Sequence, residues 1–393
     1  MVTLLPFFII LVAGILFSVL FARLHLPWVI ALIAAGIAIG PSGLDIVEPD
    51  KTLLFLGEVG LIFLMFMAGL EIRPSFFREF GKGVVALSIL TSAIPGFTGF
   101  FVGQALGYGQ TTSFLLGIVF ISTSIAVTLP SLEAKGLLHT KLGMTIIATT
   151  VVDDVLSLIL LSVVLQTTNT VTTIPLPLFY VGFVLTLVAL RFAIPKIRGF
   201  ISRFGAAGDA FEKEVRSIVV ILLGTVALFE VLGVHPIIAA FFAGMVLAEE
   251  IKQPELKEKI HALSYGVFIP VFFVTVGMET DLRVFFENFE TVLIAIVVIA
   301  ASAVTKFIAG WLGGLVDGFS PRERGLIGAS VMPQLSTALA VVFAARELAL
   351  LDEKVTTIVI MLSIVTTFIG PFIISKLTAG DDKTPVGSLL LTV

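Results

Sequence analysis

Two adjacent carboxylates, Asp153 and Asp154, stand inside an apolar run from Leu142 to Leu165 that contains no Lys or Arg. One Asp at the centre of a membrane helix costs about 2.5–3.5 kcal/mol on insertion scales. A chain that keeps two must pair them or use them. Buried carboxylates can hold a small cation and protons in alternation, and that is the chemistry expected here. On a helix, Thr150, Asp154 and Ser157 fall at i, i+4 and i+7 and form one polar stripe; Thr149 and Asp153 form a second, turned by about 100°. Asp154 therefore looks toward hydroxyl oxygens, which suit a dehydrated monovalent cation. Asp153 points elsewhere and needs a countercharge.

Lys306 is the candidate countercharge. It lies in the apolar run Val292–Val316, eleven residues before Asp317. That is about 16 Å of helix, too deep for its ammonium to reach an interface easily. One reading makes it the partner of Asp153 and a proton carrier. The other makes it a static ion that neutralises Asp153 or the carbonyl end of an interrupted helix. Glu58, Glu71, Glu230, Glu279 and Arg346 sit near helix ends and read as interfacial or cavity-mouth charges.

These residues need a membrane scaffold, and the composition supplies one. Of 393 residues, 58% are hydrophobic and 13% charged, where soluble domains carry roughly a quarter charged. The expected fold is all-α and polytopic, with no nucleic-acid partner and no enzyme activity. The chain has no Cys, and its four His are scattered, so neither a thiolate metal site nor a cofactor is expected. Apolar runs mark about thirteen transmembrane helices, among them Phe7–Phe21, Trp28–Ile39, Thr112–Leu132, Pro236–Leu247 and Leu326–Phe343. The first is expected to be retained, not removed as a signal peptide. With the N-terminus outside and the C-terminus cytoplasmic, nineteen of the 24 basic residues are cytoplasmic. Only Lys51, Arg283, Arg346 and Lys354 are external, and the positive-inside rule selects that orientation in a cell membrane.

The chain also resembles itself at a shift of 208 to 209 residues. Leu26-Pro27 through Ala35-Gly36 returns as His235-Pro236 through Ala243-Gly244, and Phe66-Met67-Ala68-Gly69-Leu70-Glu71 returns as Val274-Thr275-Val276-Gly277-Met278-Glu279. The shift spans an odd number of helices, so the reading is two inverted six-helix repeats joined by a linker helix. Two corresponding spans carry interruptions: Ile121 to Pro130, and Ser330-Val331-Met332-Pro333-Gln334-Leu335-Ser336-Thr337. Proline and hydroxyl residues there predict two crossing broken helices; ordinary proline kinks are the alternative. Gln334, Ser336 and Thr337 join Thr149, Thr150 and Ser157 as supporting residues.

Together, the segment ending in Ala68-Gly69-Leu70-Glu71, Ser122-Thr123-Ser124-Ile125-Ala126-Val127, Asp153-Asp154, Phe272 to Gly277 and Lys306 resemble the monovalent cation:proton antiporters. That family takes in sodium/proton exchangers and the related Kef-type potassium-efflux systems. The resemblance implies a sodium ion held at Asp154, Thr123 and Ser124, with lithium or potassium as congeners and protons as the exchanged ion. It implies a homodimer, an elevator-like movement, and scaffold helices in residues 1–83 and 215–283. Core helices would occupy 84–174 and 284–377, a linker 175–214 and a cytoplasmic tail 378–393. An Asp-Asp pair resembles the electrogenic, sodium-selective branch. Kef-type chains carry a long nucleotide-binding domain after the last span; this one ends at Val393 without a G-x-G-x-x-G unit. Met332-Pro333-Gln334 is less typical of sodium exchangers and keeps a potassium/proton antiporter as the alternative. A sodium-coupled organic solute symporter and a passive channel are the remaining readings. The first lacks an extra basic residue at membrane depth for an organic anion, and a buried Lys argues against the second.

Overall fold

The computed structural model describes residues 4–23, 27–72, 81–168, 176–203, 210–251, 253–283 and 289–378. Leu26, Arg73, Arg78, Lys252, Lys383 and the tail beyond Thr378 lie outside the described residues. The described residues form helices and no strand. In chain order these are α1 (Leu4–Arg23), α2 (Trp28–Ile39), α3 (Lys51–Glu71), α4 (Lys82–Ala105), α5 (Gln110–Ile121), α6 (Ile125–Glu133), α7 (Lys141–Thr168) and α8 (Leu176–Arg203). There follow α9 (Ala210–Val231), α10 (Pro236–Leu247), α11 (Pro254–Leu263), a π-helical turn at Ser264–Phe268, α12 (Ile269–Met278), α13 (Phe289–Val316), α14 (Pro321–Ser330), α15 (Ser336–Glu347) and α16 (Glu353–Thr378).

Among the described residues, eight helical segments are long and apolar enough to cross a membrane, and α2 and α10 are shorter apolar helices. This establishes a polytopic all-α membrane protein without fixing the number of crossings at thirteen. Large apolar side chains stand exposed along α1, from Leu4 and Phe8 to Leu20, and along α8, as at Leu185. A bilayer satisfies such faces, because every helical backbone bond is already made within the segment.

Residues group by contact into two compact units. The first comprises Met1–Leu53, Glu79–Val164 and Phe273–Val393; the second comprises Leu54–Arg78 and Leu165–Phe272. In the first unit, Leu87, Leu132, Leu142, Ile146, Leu326, Ile327 and Ile374 form an apolar cluster that joins α4, α6, α7, α14 and α16. Near the end of the same unit, Arg346 pairs with Glu279 at 3.3 Å.

Both interrupted segments are discontinuous. The first breaks at Ser122-Thr123-Ser124, and Pro130 is accommodated inside α6. The hydroxyl run, not the proline, therefore marks that break. The second breaks over residues 331–335 around Pro333, whose missing N–H cannot continue α14. Ser320 and Glu323 form a capping box that starts α14, supplying two of the bonds an N-terminus lacks.

Small residues set two helix crossings, one in each unit. In the first unit a Cβ on Gly36 would fall 2.0 Å from Val274 O, and one on Gly277 would fall 2.1 Å from Ile33 O. In the second unit a Cβ on Gly244 would fall 2.2 Å from Phe66 O, and one on Gly69 would fall 2.0 Å from Phe241 O. A shift of 208 residues turns each atom pair of one crossing into a pair of the other. Close backbone approach of this kind needs glycine, since membrane helices associate largely by packing. Gly36→Ala should lower stability in detergent by about 1–3 kcal/mol, the usual cost of overpacking. Gly182→Ala on α8, where a Cβ meets nothing within 4 Å, should leave the thermal melt nearly unchanged.

Candidate functional site

The two breaks meet. Ser124 N–H donates to Pro333 O at 2.7 Å, Thr128 Oγ1 donates to Ser330 O at 2.7 Å, and Thr123 Oγ1 lies 3.4 Å from Val331 O. Backbone groups that each half-helix leaves unpaired are thus answered largely by the other broken segment.

Asp153 and Asp154 both project into this region from α7, yet their surroundings differ. Asp153 is wholly buried. Its Oδ1 lies 3.0 Å from Thr91 Oγ1 and 2.9 Å from Ser92 Oγ, both on α4. Its Oδ2 accepts from Lys306 Nζ at 3.0 Å and from Thr123 Oγ1 at 3.1 Å. Lys306, also 0% exposed, spends all three of its protons. They go to Asp153, to Thr123 Oγ1 at 2.7 Å, and to Ile121 O at the carbonyl end of α5. Lys306 is therefore both the ion-pair partner of Asp153 and a cap on a half-helix.

Asp154 is 3% exposed and poorly partnered. Its Oδ1 faces the Thr123 N–H at 3.5 Å. The Thr337 hydroxyl is near enough to interact with the carboxylate, but no hydrogen bond to Thr337 Oγ1 closes. The Ser124 and Thr149 hydroxyls are buried and likewise without a hydrogen-bond partner. Thr150 and Ser157, expected on the Asp154 stripe, turn their hydroxyls to their own helix. They reach Ile146 O at 3.0 Å and Asp154 O at 2.9 Å, the common back-bonding of such residues in helices. Thr123 places its hydroxyl with Asp153 and Lys306 and only its N–H toward Asp154. Ser336 opens α15 next to Thr337.

Gln334 bridges three elements. It donates from Nε2 to Phe120 O at 2.8 Å, accepts from Ser302 Oγ at 2.9 Å, and its N–H donates to Thr366 Oγ1 at 3.2 Å. Thr91, Ser92, Ser302 and Thr366 were not among the residues picked from the sequence. A signal did exist for the first two: Ser88, Thr91 and Ser92 recur at i, i+3 and i+4 inside the apolar α4.

Two broken membrane helices meeting over buried carboxylates define a transporter of small ions, and sequence comparison gives the family. The sodium/hydrogen exchanger transmembrane family matches residues 7–380, and the chain belongs to it. The protein named "Probable Na(+)/H(+) antiporter 3" of Methanocaldococcus jannaschii is 32% identical over 379 residues, covering 94% of this chain and 95% of its own length. An Na(+)/H(+) antiporter of Enterococcus hirae is 29% identical over 372 residues, covering 94% and 96%. The structure of the sodium proton antiporter MjNhaP1 from Methanocaldococcus jannaschii at pH 8 superposes with a TM-score of 0.69 at 20% identity, covering 98% of this chain and 97% of that one. At that identity the likeness is one of fold.

Breaking a buried ion pair from one side leaves the other charge uncompensated, which typically costs about 3–5 kcal/mol. Asp153→Asn and Lys306→Gln should each destabilise the protein on that scale, less where the orphaned partner neutralises itself. The double variant should lose clearly less than the sum of the two. Thermal or denaturant unfolding in detergent, run as a double-mutant cycle, measures the coupling.

Proposed function

We propose that the chain is a secondary antiporter exchanging sodium, and lithium as its congener, for protons across a cell membrane. The observation that carries this reading is the inequality of the two carboxylates. Asp153 has four partners, one of them an ammonium, whereas Asp154 has one long backbone contact and the nearby Thr337 hydroxyl. A carboxylate without partners in a low-dielectric interior is stabilised by a proton or by a bound cation. Asp154 is the shared seat for both, and Ser124 supplies an oxygen to the dehydrated sodium ion; Thr123, expected from the sequence to do the same, has its hydroxyl committed to Asp153 and Lys306. Thr149 and Thr337 offer further unpartnered hydroxyls, while Thr150, Ser157 and Ser336 shape the surrounding surface.

Exchange follows from two rules. The seat is filled by one ion or the other, and the empty ionised seat crosses poorly, because moving an unpaired charge past apolar surface costs several kcal/mol. Lys306 is the counter-ion of Asp153 and a second group able to trade a proton, which makes the exchange electrogenic. The symmetric glycine crossings support two inverted repeats, joined by a linker at 175–214. Core helices then lie in 84–174 and 284–377, and scaffold helices in 1–83 and 215–283. The core moves elevator-like against the scaffold of a homodimer. The N-terminus lies outside and the C-terminal tail, 378–393, in the cytoplasm, as the basic residues favour.

Purified protein in liposomes with an internal pH dye tests the proposal. Sodium addition should drive proton movement, and Asp154→Asn should abolish it while the melting curve stays close to the parent's. Exchange by that variant at the parental rate would remove Asp154 from the ion path.

Competition for one carboxylate also sets a pH dependence. Protons displace the cation as pH falls, so the apparent sodium affinity should weaken steadily from about pH 9 to pH 6, the range in which buried carboxylates commonly titrate. An apparent affinity that stays constant over that range would mean separate seats for the two ions.

A further inference from the structure

Gln334, next to Pro333, is wholly buried at the second break. Its side chain is used at both ends. The amide N–H donates to Phe120 O at 2.8 Å, and the amide oxygen accepts from Ser302 Oγ at 2.9 Å. Phe120 and Ile121 supply the last carbonyls of α5, which have no partner within that helix. Lys306 takes Ile121 O. Ser302 and Lys306 are four residues apart on α13, so one face of that helix serves both carbonyls. It reaches one directly and the other through Gln334.

We infer that Gln334 is a specificity-determining positioning residue: its amide holds the end of α5, and hence the Thr123–Ser124 break that faces Asp154 through the Thr123 N–H, at a spacing that favours sodium over potassium. This role presupposes the sodium–proton exchange proposed above. Thr123 lies two residues beyond Ile121 and aims its N–H at Asp154 Oδ1, so a displaced α5 end carries that break with it. Discrimination between hard cations depends on the number, placement and freedom of the oxygens around them. An amide carries no charge and keeps its proton, so its grip is the same whether a cation or a proton occupies the carboxylates. Lys306 and Thr123 cannot provide this, because both are bonded to Asp153.

The test measures the apparent KM for sodium, lithium and potassium in proteoliposomes of the full chain at one pH. Gln334→Met keeps length and bulk but neither donates nor accepts. It should raise the sodium KM about tenfold, the worth of one buried hydrogen bond, narrow the gap to potassium, and leave the maximal sodium-driven rate within about threefold of the parent. Ser302→Ala, which frees the amide to turn, should move the ratio the same way by less. Ser302→Thr keeps the hydroxyl and should match the parent. An unchanged sodium-to-potassium KM ratio in Gln334→Met overturns the inference, as does a uniform fall in rate for all cations at constant KM. If Gln334→Met does not fold, the comparison of Ser302→Ala with Ser302→Thr decides by the same ratio. A parent protein that moves no protons with any cation would overturn the antiport reading and this role with it. A parent that exchanges, with variants that keep its ratio, overturns only the role of Gln334.

Discussion

The carbonyl end of α5 is the constraint around which the first unit is organised. A helix that stops at membrane depth leaves C=O groups with no helical partner, and lipid offers none. Here the ammonium of Lys306 meets one of them, Ile121 O, and the Gln334 amide meets the other, Phe120 O. An ammonium in that place needs an anion, and Asp153 supplies it. Asp153 in turn has oxygen lone pairs left over, which Thr91, Ser92 and Thr123 fill. Each polar group thus calls for the next, and the chain of demands ends only where every partner is found.

Asp154 stands just outside that closed set. It belongs to the same helix as Asp153 and is almost as deeply buried, yet the saturated network does not extend to it. The Ser124, Thr149 and Thr337 hydroxyls are also buried without hydrogen bonds, and that of Thr337 lies near the carboxylate. Buried polar atoms in native proteins are nearly always paired, and the proposed exchange rests on this contrast with Asp153. In the proposed exchange, a dehydrated monovalent cation or a proton is the partner that Asp154 lacks. On the proposed exchange, Asp154 is the exchanging seat, and the Asp153–Lys306 pair is both a structural tie and the second group that trades a proton.

Mutual support between the two breaks depends on close approach of the two segments. Ser124 reaches Pro333 O and Thr128 reaches Ser330 O only if α5–α6 and α14–α15 meet closely. The two glycine crossings have the same character: backbone lies against backbone with no side chain between. The atom pairs of one crossing become those of the other under one shift of 208 residues. Thr123 and Val331, which lie 208 residues apart, meet at the breaks, Thr123 Oγ1 lying 3.4 Å from Val331 O.

From the amino-acid sequence alone came the class of protein and the charges that matter. Apolar run length and the scarcity of charge demand a helical membrane protein, and in such a chain Asp153, Asp154 and Lys306 stand out because each is costly where it lies. The hydroxyl runs and Pro333 announced the breaks, although Pro130 proved compatible with helix and Ser122-Thr123-Ser124 carried the first one. Partner choice was not legible in the same way. Thr150 and Ser157 share a stripe with Asp154, yet their hydroxyls bond to their own backbone; Thr123 gives its hydroxyl to Asp153 and only its N–H to Asp154; Thr91 and Ser92 reach Asp153 across 62 and 61 residues of chain. Periodicity states which face of a helix a residue occupies. It does not state which distant helix meets that face, nor whether a hydroxyl turns outward or back, because those outcomes depend on packing and on competition among all nearby donors and acceptors. Tertiary structure alone decided them.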